Sequence, residues 1–530
     1  MKDANPIIQM VKSRFLVHCL FAITPVLVLT AGDWSQYRGP THDGLSSETI
    51  RSNWSSEAPR EIWRVPMVNG FSSFSVSNGR AFTLVERTFD GSNKETCIAL
   101  NSATGLELWA TVVDTAENYD GTGISAAAGP RSTPVVDGDR VFILSAYLGL
   151  YCLNASSGDV LWQKSIHGEY GGGVISWQSS AAPLIEGDLV IIQSRAEDHS
   201  LMAFRKQDGT EVWARHNDLM THASPVTVTL NGVRQVIFYA QSGLVSLDPG
   251  TGNVLWRHKV NYNGTSAGAS PVVAGDLIYC SRAYPGSLSS ERAGATVMQL
   301  TKTADSFSTK RVWYKVNQLM NHWSTPVHDG GYLYGIYGHY NSGASPIELK
   351  CIDMQTGEEK WSQGLSSEGS RSGGLLKVGK QMLLLTERGD LVLFEPSAEA
   401  FKEIARHKAL GGRSWNVPAI SNGRIYARST TEAVCLDVSL PAPPSAPLKL
   451  QASLSSGRSF GLEIGTADDS PIDANRASMI DILFSGDLLT DLASWTKVST
   501  APQITNGRLR FEDPETGVVP RRYFRIQERR

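Results

Sequence analysis

The side chains in this chain best suited to chemistry stand just ahead of a series of short apolar strands. They are Arg131, Trp177 with Gln178, His222, His322 with Trp323, Arg371, Arg413, and Trp415 with Asn416. Arginine offers a fixed fork of donors, tryptophan a flat apolar face, and histidine a nitrogen that titrates or ligates near neutral pH. Together they would form a cationic, aromatic-lined mouth for an anionic or planar ligand. Two of the segments share a phrase, Asn217-Asp218-Leu219-Met220-Thr221-His222 and Asn317-Gln318-Leu319-Met320-Asn321-His322. A residue that repeats points to a duty that repeats, so the same groups also fit a structural role, capping a channel and bonding strand backbone. No catalytic set assembles from them. No G-x-S-x-G elbow sits on a strand-to-helix turn, so serine hydrolase chemistry finds no support. Cys97, Cys152, Cys280, Cys351 and Cys435 are odd in number and contain no CxxC, which suggests neither a disulfide framework nor a zinc site.

The elements that must carry these residues repeat. A polar turn with glycine followed by an apolar-Trp pair recurs at Thr104-Gly105 with Trp109, Ser157-Gly158 with Trp162, Asp208-Gly209 with Trp213, Thr251-Gly252 with Trp256, and Thr356-Gly357 with Trp361. A degenerate copy ends at Trp313, and another near Ile404 has lost its tryptophan. From Trp63 to Trp361 successive repeat tryptophans lie 43 to 57 residues apart, the length of a four-stranded propeller blade. Each unit opens on an inner-strand signature such as Ser132-Thr133-Pro134-Val135, Ser224-Pro225-Val226 or Ser324-Thr325-Pro326-Val327, and eight of these can be counted. Cys152, Cys351 and Cys435 fall at one equivalent strand position, filled elsewhere by Ala99, Ala203 and Ser246, and read as small buried packing residues. The last unit lacks an outer strand. Glu61-Ile62-Trp63-Arg64-Val65 supplies one from the other end of the chain. The expected fold is therefore all-β: an eight-bladed β-propeller closed by its N-terminal strand, then a small C-terminal β domain. Insertions concentrate on one face, in the links after Trp109 and Trp162 and in loops 283–295 and 338–346, and that face is the expected binding face.

The chain has 530 residues, 41% hydrophobic and 19% charged, with net charge −3. Without a basic stripe, nucleic acid is not an expected partner. Residues 1–31 read as a signal peptide: Lys2, Lys12 and Arg14 precede the apolar run 15–30, and Leu29-Thr30-Ala31 offers a cleavage site. The run is short for a bilayer span, and Cys19 lies inside it beside His18 rather than at a lipoprotein position. A periplasmic or secreted protein with no stable membrane insertion after cleavage is expected. The remaining boundaries are an N-terminal strap (32–59), the propeller (60–438), a proline-rich linker (439–447) and a small sandwich-like domain (448–530).

At these repeats the chain resembles the PQQ-binding-like β-propeller family, which includes quinoprotein alcohol dehydrogenases and assembly factors of the BamB type. Trp34-Ser35-Gln36-Tyr37-Arg38-Gly39-Pro40, with Asp43-Gly44, is similar to the opening of many exported members. The run from Ala493-Ser494-Trp495 through Phe511-Glu512-Asp513 to Tyr523-Phe524-Arg525 resembles small β modules that end many secreted bacterial proteins. The resemblance implies one of two functions. The first is an exported, non-catalytic binding or scaffolding propeller, engaging a protein or polysaccharide through its loop-rich face, with no cofactor assigned. The second is a periplasmic quinoprotein-type oxidoreductase using pyrroloquinoline quinone with Ca²⁺ on divergent ligands. Quinoprotein dehydrogenases carry an adjacent cysteine pair beside the quinone, and no two cysteines here are adjacent. Asn118-Tyr119-Asp120-Gly121 resembles part of a calcium loop, but its later acidic ligand is missing.

Overall fold

The computed structural model describes residues 32–116, 129–260, 267–283, 293–304, 306–321, 323–338, 347–365, 372–440, 446–454, 460–486, 494–513 and 523–528. They form two compact units, residues 1–440 and 441–530. In the first, the described strands form antiparallel four-stranded sheets that follow one another along the chain. Blade 1 runs through Ser75–Ser77, Arg80–Phe89, Ser92–Asn101 and Glu107–Thr115, from inner to outer strand. The last blade has only three strands of its own, Ala419–Ser421, Arg424–Arg428 and Glu432–Asp437. Its outer strand is Arg60–Pro66, which pairs antiparallel with Glu432–Asp437, Arg64 opposite Val434. The inner strand of blade 8 in turn touches that of blade 1, so the ring closes.

The repeat phrase has a packing reason. The Trp63 indole donates to the Ser102 carbonyl of the next blade (3.0 Å), and Trp109, Trp162, Trp213, Trp313 and Trp361 each donate to a carbonyl of the blade after theirs. In five of the six a turn glycine of the receiving blade, Gly105, Gly158, Gly209, Gly252 or Gly357, lies against the ring, and Trp361 packs on Phe401 instead. A Cβ at Gly105 would come within 2.8 Å of Trp63, and one at Gly209 within 2.8 Å of Trp162. With φ of +73° and +72° these positions favour glycine twice over, for conformation and for space. The residue paired across from six of these tryptophans is small: Ala99, Cys152, Ala203, Ser246, Cys351 and Cys435 face Trp109, Trp162, Trp213, Trp256, Trp361 and Trp63, while Val297 faces Trp313. Those three cysteines are buried, and burial raises their thiol pKa values above the usual range. Trp256 is the exception. Blade 5 has no glycine in its outer turn, and Trp256 bonds Gln235 of its own blade instead (2.7 Å).

The inner-strand signature is explained by hydroxyls. Thr133, Ser224 and Thr325 each precede a proline, and each side-chain oxygen accepts a backbone N–H from the blade before: Ser73, Ala182 and Ser270 respectively. Proline holds the preceding residue extended and needs no partner for a donor of its own, so the hydroxyl is left to stitch neighbouring inner strands. Ser73 receives Val417 N of blade 8 in the same way (3.1 Å). Arg428, 1% exposed, ties blade 8 to blade 1 through Thr83 Oγ1, the Leu84 carbonyl and the Val68 carbonyl. Burial pushes its pKa down to about 9.

The second unit is a β-sandwich. One sheet contains Leu448–Leu454, Phe460–Thr466, Arg508–Glu512 and Gln503–Thr505. The other contains Thr496–Lys497, Ile480–Ser485 and Tyr523–Glu528. Leu462, Ile464, Ile482, Leu509 and Phe511 fill its core, against Phe460 and Phe524. Among the described residues no helix is long and apolar enough to cross a membrane.

Candidate functional site

In a meander blade, the inner-to-second and third-to-outer turns share one face. The second-to-third loops and the links between blades share the other. The candidate residues all belong to the links, and the structure gathers the described ones into two clusters around the axis. His322 and Arg371 lie outside the described residues, as do 118–121.

The first cluster spans blades 2 to 4. Arg131 Nη1 donates to the Trp177 carbonyl (2.8 Å), and the indole lies 6.5 Å from the His222 ring, centre to centre. Trp177 and Gln178 both have left-handed backbones, φ 62° and 56°. The turn is tied down by Gln178 N to the Ile175 carbonyl and Ser179 N to the Ala146 carbonyl. Trp177 remains 36% exposed, while Gln178 is buried. Burial first, and then the Arg131 charge, push the His222 pKa down to about 4 against a bond to the Ser176 backbone. His222 is therefore neutral at pH 7, and its buried Nε2 has no hydrogen-bond partner.

The second cluster spans blades 6, 7, 8 and 1. Trp415 is packed between Phe71 (4.6 Å, stacked) and Trp323 (4.8 Å), with the Arg413 guanidinium 5.0 Å from its ring centre. Glu387 accepts from Trp415 Nε1 (3.0 Å) and lies 3.6 Å from Arg413 Nε. Ser414 Oγ and both amide atoms of Asn416 are buried without partners. The cluster is less cationic than the sequence suggests, because Glu387 offsets Arg413. Glu387 and Phe71 were not legible as members: each lies far along the chain from Trp415, and neither belongs to a repeated phrase.

The strap is the larger surprise. Trp34 pairs with Val76 of blade 1, the Ser35 carbonyl accepts Val136 N of blade 2, and Leu45–Ser46 runs parallel to Lys377 and Val378 of blade 7. Arg38, 2% exposed, donates to the Thr325 (2.9 Å), Pro326 (2.8 Å) and Asp43 (2.7 Å) carbonyls. Glu48 accepts Asn422 N and Gly423 N of blade 8. The strap thus crosses the inner strands of several blades. One cavity beside it, lined by Gln36, His42, Ser224 and Ser270 among others, has about 10 Å³ of room, enough for one water at most. The motif is visible in the sequence, but nothing in its spacing says that it crosses several blades.

The five described cysteines lie singly, and among the described residues no three His, Cys, Asp or Glu side chains are grouped to hold a metal ion.

Repeats, Trp docking and strand closure define a β-propeller of the PQQ-like repeat class. Residues 93–363, half of the chain, match the family model described as outer membrane protein assembly factor BamB, and the chain belongs to that family. A relative of that description from Moranella endobia (strain PCIT) is 22% identical over 271 residues, covering 48% of this chain and 62% of that protein. The chain thus spans about three-fifths of that relative's length. Among solved structures, quinohemoprotein alcohol dehydrogenase from Comamonas testosteroni is similar with a TM-score of 0.53 and 12% identity, over 80% of this chain and 83% of that one. BamB from Moraxella catarrhalis gives a TM-score of 0.49 and 14% identity, over 72% and 98%. At 12% identity the dehydrogenase likeness bears on the fold alone.

Proposed function

We propose that this protein is an exported, non-catalytic binding propeller that engages a protein partner outside the cytoplasm through its link-bearing face. The observation that carries the reading is the one-sidedness of the ring. The strap crosses the inner strands of several blades, while the link-bearing mouth keeps an exposed indole and a second aromatic cluster. A rigid scaffold with one elaborated face binds with that face. Family membership supports a protein partner, since the relatives are described as assembly factors for outer membrane proteins.

The buried cysteines make a clean test available. A cysteine introduced at exposed Glu197, in a second-to-third loop, or at Asp188, in an inner-to-second turn, can be capped with a bulky polyethylene glycol maleimide. Capping at position 197 should abolish capture of partners from an envelope extract, and capping at 188 should leave it intact. Equal capture by both refutes the reading. A stoichiometric visible absorbance change on titration with pyrroloquinoline quinone and Ca²⁺ would replace it with the oxidoreductase reading.

A further inference from the structure

A propeller blade ends in an outer strand whose far side has no neighbour in its own sheet, and such an edge invites another chain unless something blunts it. Every outer strand but one carries lysine or arginine, from Lys164 in Val160–Ser165 to Arg64 in Arg60–Pro66. The exception is Glu107–Thr115 of blade 1. Its stretch Leu108-Trp109-Ala110-Thr111-Val112-Val113 has no charge, no proline and no glycine, and it lies in the last strand of its sheet. That composition marks a segment apt to pair with a further strand. The side chains that stand outward are apolar: Leu108 is 45% exposed, Val112 42%, and Leu106 just ahead 69%. Ala110 between them is exposed as well. The bulge beside Trp109 recurs beside other repeat tryptophans, so it adds no guard peculiar to this edge, and from Trp109 to Val112 the register is regular.

The same residues select the occupant. A strand added here must be as uncharged along its length as the edge it meets, and a second copy of Glu107–Thr115 is. Turned antiparallel about a two-fold axis at Ala110, the strand sets Leu108 opposite Val112, Trp109 opposite Thr111, and Ala110 opposite its own copy. Glu107 then falls opposite Val113 and Asp114 opposite Leu106, so no like charges face each other. Both carboxylates are already engaged within the chain, Glu107 by Arg87 and Asp114 by Ser145 Oγ, so pairing leaves neither without a partner. We infer that blade 1 is the self-association edge of this protein: two copies join outer strand to outer strand about Ala110 into one continuous sheet. The inference stands independently of the partner reading above.

Sedimentation velocity of the full chain tests it. An interface this narrow gives a weak dimer, so the protein should run as a monomer at about 1 µM and largely as a dimer at about 100 µM. Ala110→Lys or Val112→Lys supplies the missing guard and should weaken association at least about 10-fold with melting unchanged, since both side chains are exposed. Gln163→Lys, at an exposed outer-strand position of blade 2, should leave the dimer intact. A cysteine arm reads the same contact without adding charge. Ala110→Cys should form a disulfide with its own copy under mild oxidation, because directly opposed residues bring their Cα atoms to about 4.5–5.5 Å, and Gln163→Cys should not. The five native cysteines described are buried. A monomer at about 100 µM, a dimer indifferent to both lysine variants, or cross-linking no greater at position 110 than at 163 overturns the inference.

Discussion

Arg38→Met tests whether the strap is a structural tie. Methionine keeps most of the aliphatic stem and removes the guanidinium, which is 2% exposed and holds the Thr325, Pro326 and Asp43 carbonyls at 2.7 to 2.9 Å. Hydrogen bonds from a charged donor contribute about 1.5–3 kcal/mol each, and carbonyls left buried cost about 1–3 kcal/mol each. The charge itself had to be desolvated, as its pKa lowered by burial shows, and removing it returns part of that loss. The net destabilisation should be about 3–5 kcal/mol. Unfolding entropy is about 2.1 cal/mol/K per residue, so a ring of roughly 400 residues should melt about 4–6 °C lower. The assay is differential scanning calorimetry of the propeller transition. The control is Arg234→Met, which breaks an ion pair with Glu186 whose guanidinium side is 47% exposed and should shift melting by less than about 1 °C. The reasoning fails if Arg38→Met melts within 1 °C of wild type, or if the control falls as far.

Glycine substitutions should separate conformation from packing. Gly187→Ala meets nothing within 4 Å and should cost about 1 kcal/mol from φ alone, whereas Gly209→Ala also drives a methyl into Trp162 and should cost about 2–4 kcal/mol by denaturant titration. The closing strand should be acid-sensitive. Burial pushes the Asp437 carboxyl up, but Ser439 hydrogen bonds and Arg60 prevail and hold it at about 2. Because this folded-state value is depressed, its contribution is present above the unfolded pKa of about 3.9 and is lost as pH falls through about 2. Between those values wild type should lose more stability than Asp437→Asn does, which urea midpoints at pH 5 and pH 2.5 would show. Limited proteolysis should cut between residues 441 and 447 and release a C-terminal fragment, because the chain divides there into two compact units; cleavage confined to propeller loops would contradict this.

What could be read in advance was whatever repeats. Glycine and tryptophan recur because each blade must present the same socket and plug to its neighbour, and that regularity also exposed Trp63 as an outer strand lacking its own blade. The small residue opposite six of the tryptophans was legible for the same reason. What could not be read was whatever happens once. The course of residues 34–48 across the inner strands depends on partners in several blades, and no local pattern encodes them. The mouth was legible as a set of residue types but not as two clusters, because pairing of Glu387 with Arg413 and the left-handed turn at Trp177 arise from tertiary context.

The strand Arg60–Pro66 is made before any blade's own strands, yet its partner Glu432–Asp437 is made last of the propeller. A nascent chain therefore carries an unpaired, tryptophan-bearing strand until the whole ring exists. Any product cut short before residue 432 keeps two open edges, one at each end, and cannot hide either. The ring thereby proofreads its own length. Only a full-length propeller removes the strand edges that holdases and proteases recognise, so incomplete chains remain marked for capture until the ring closes.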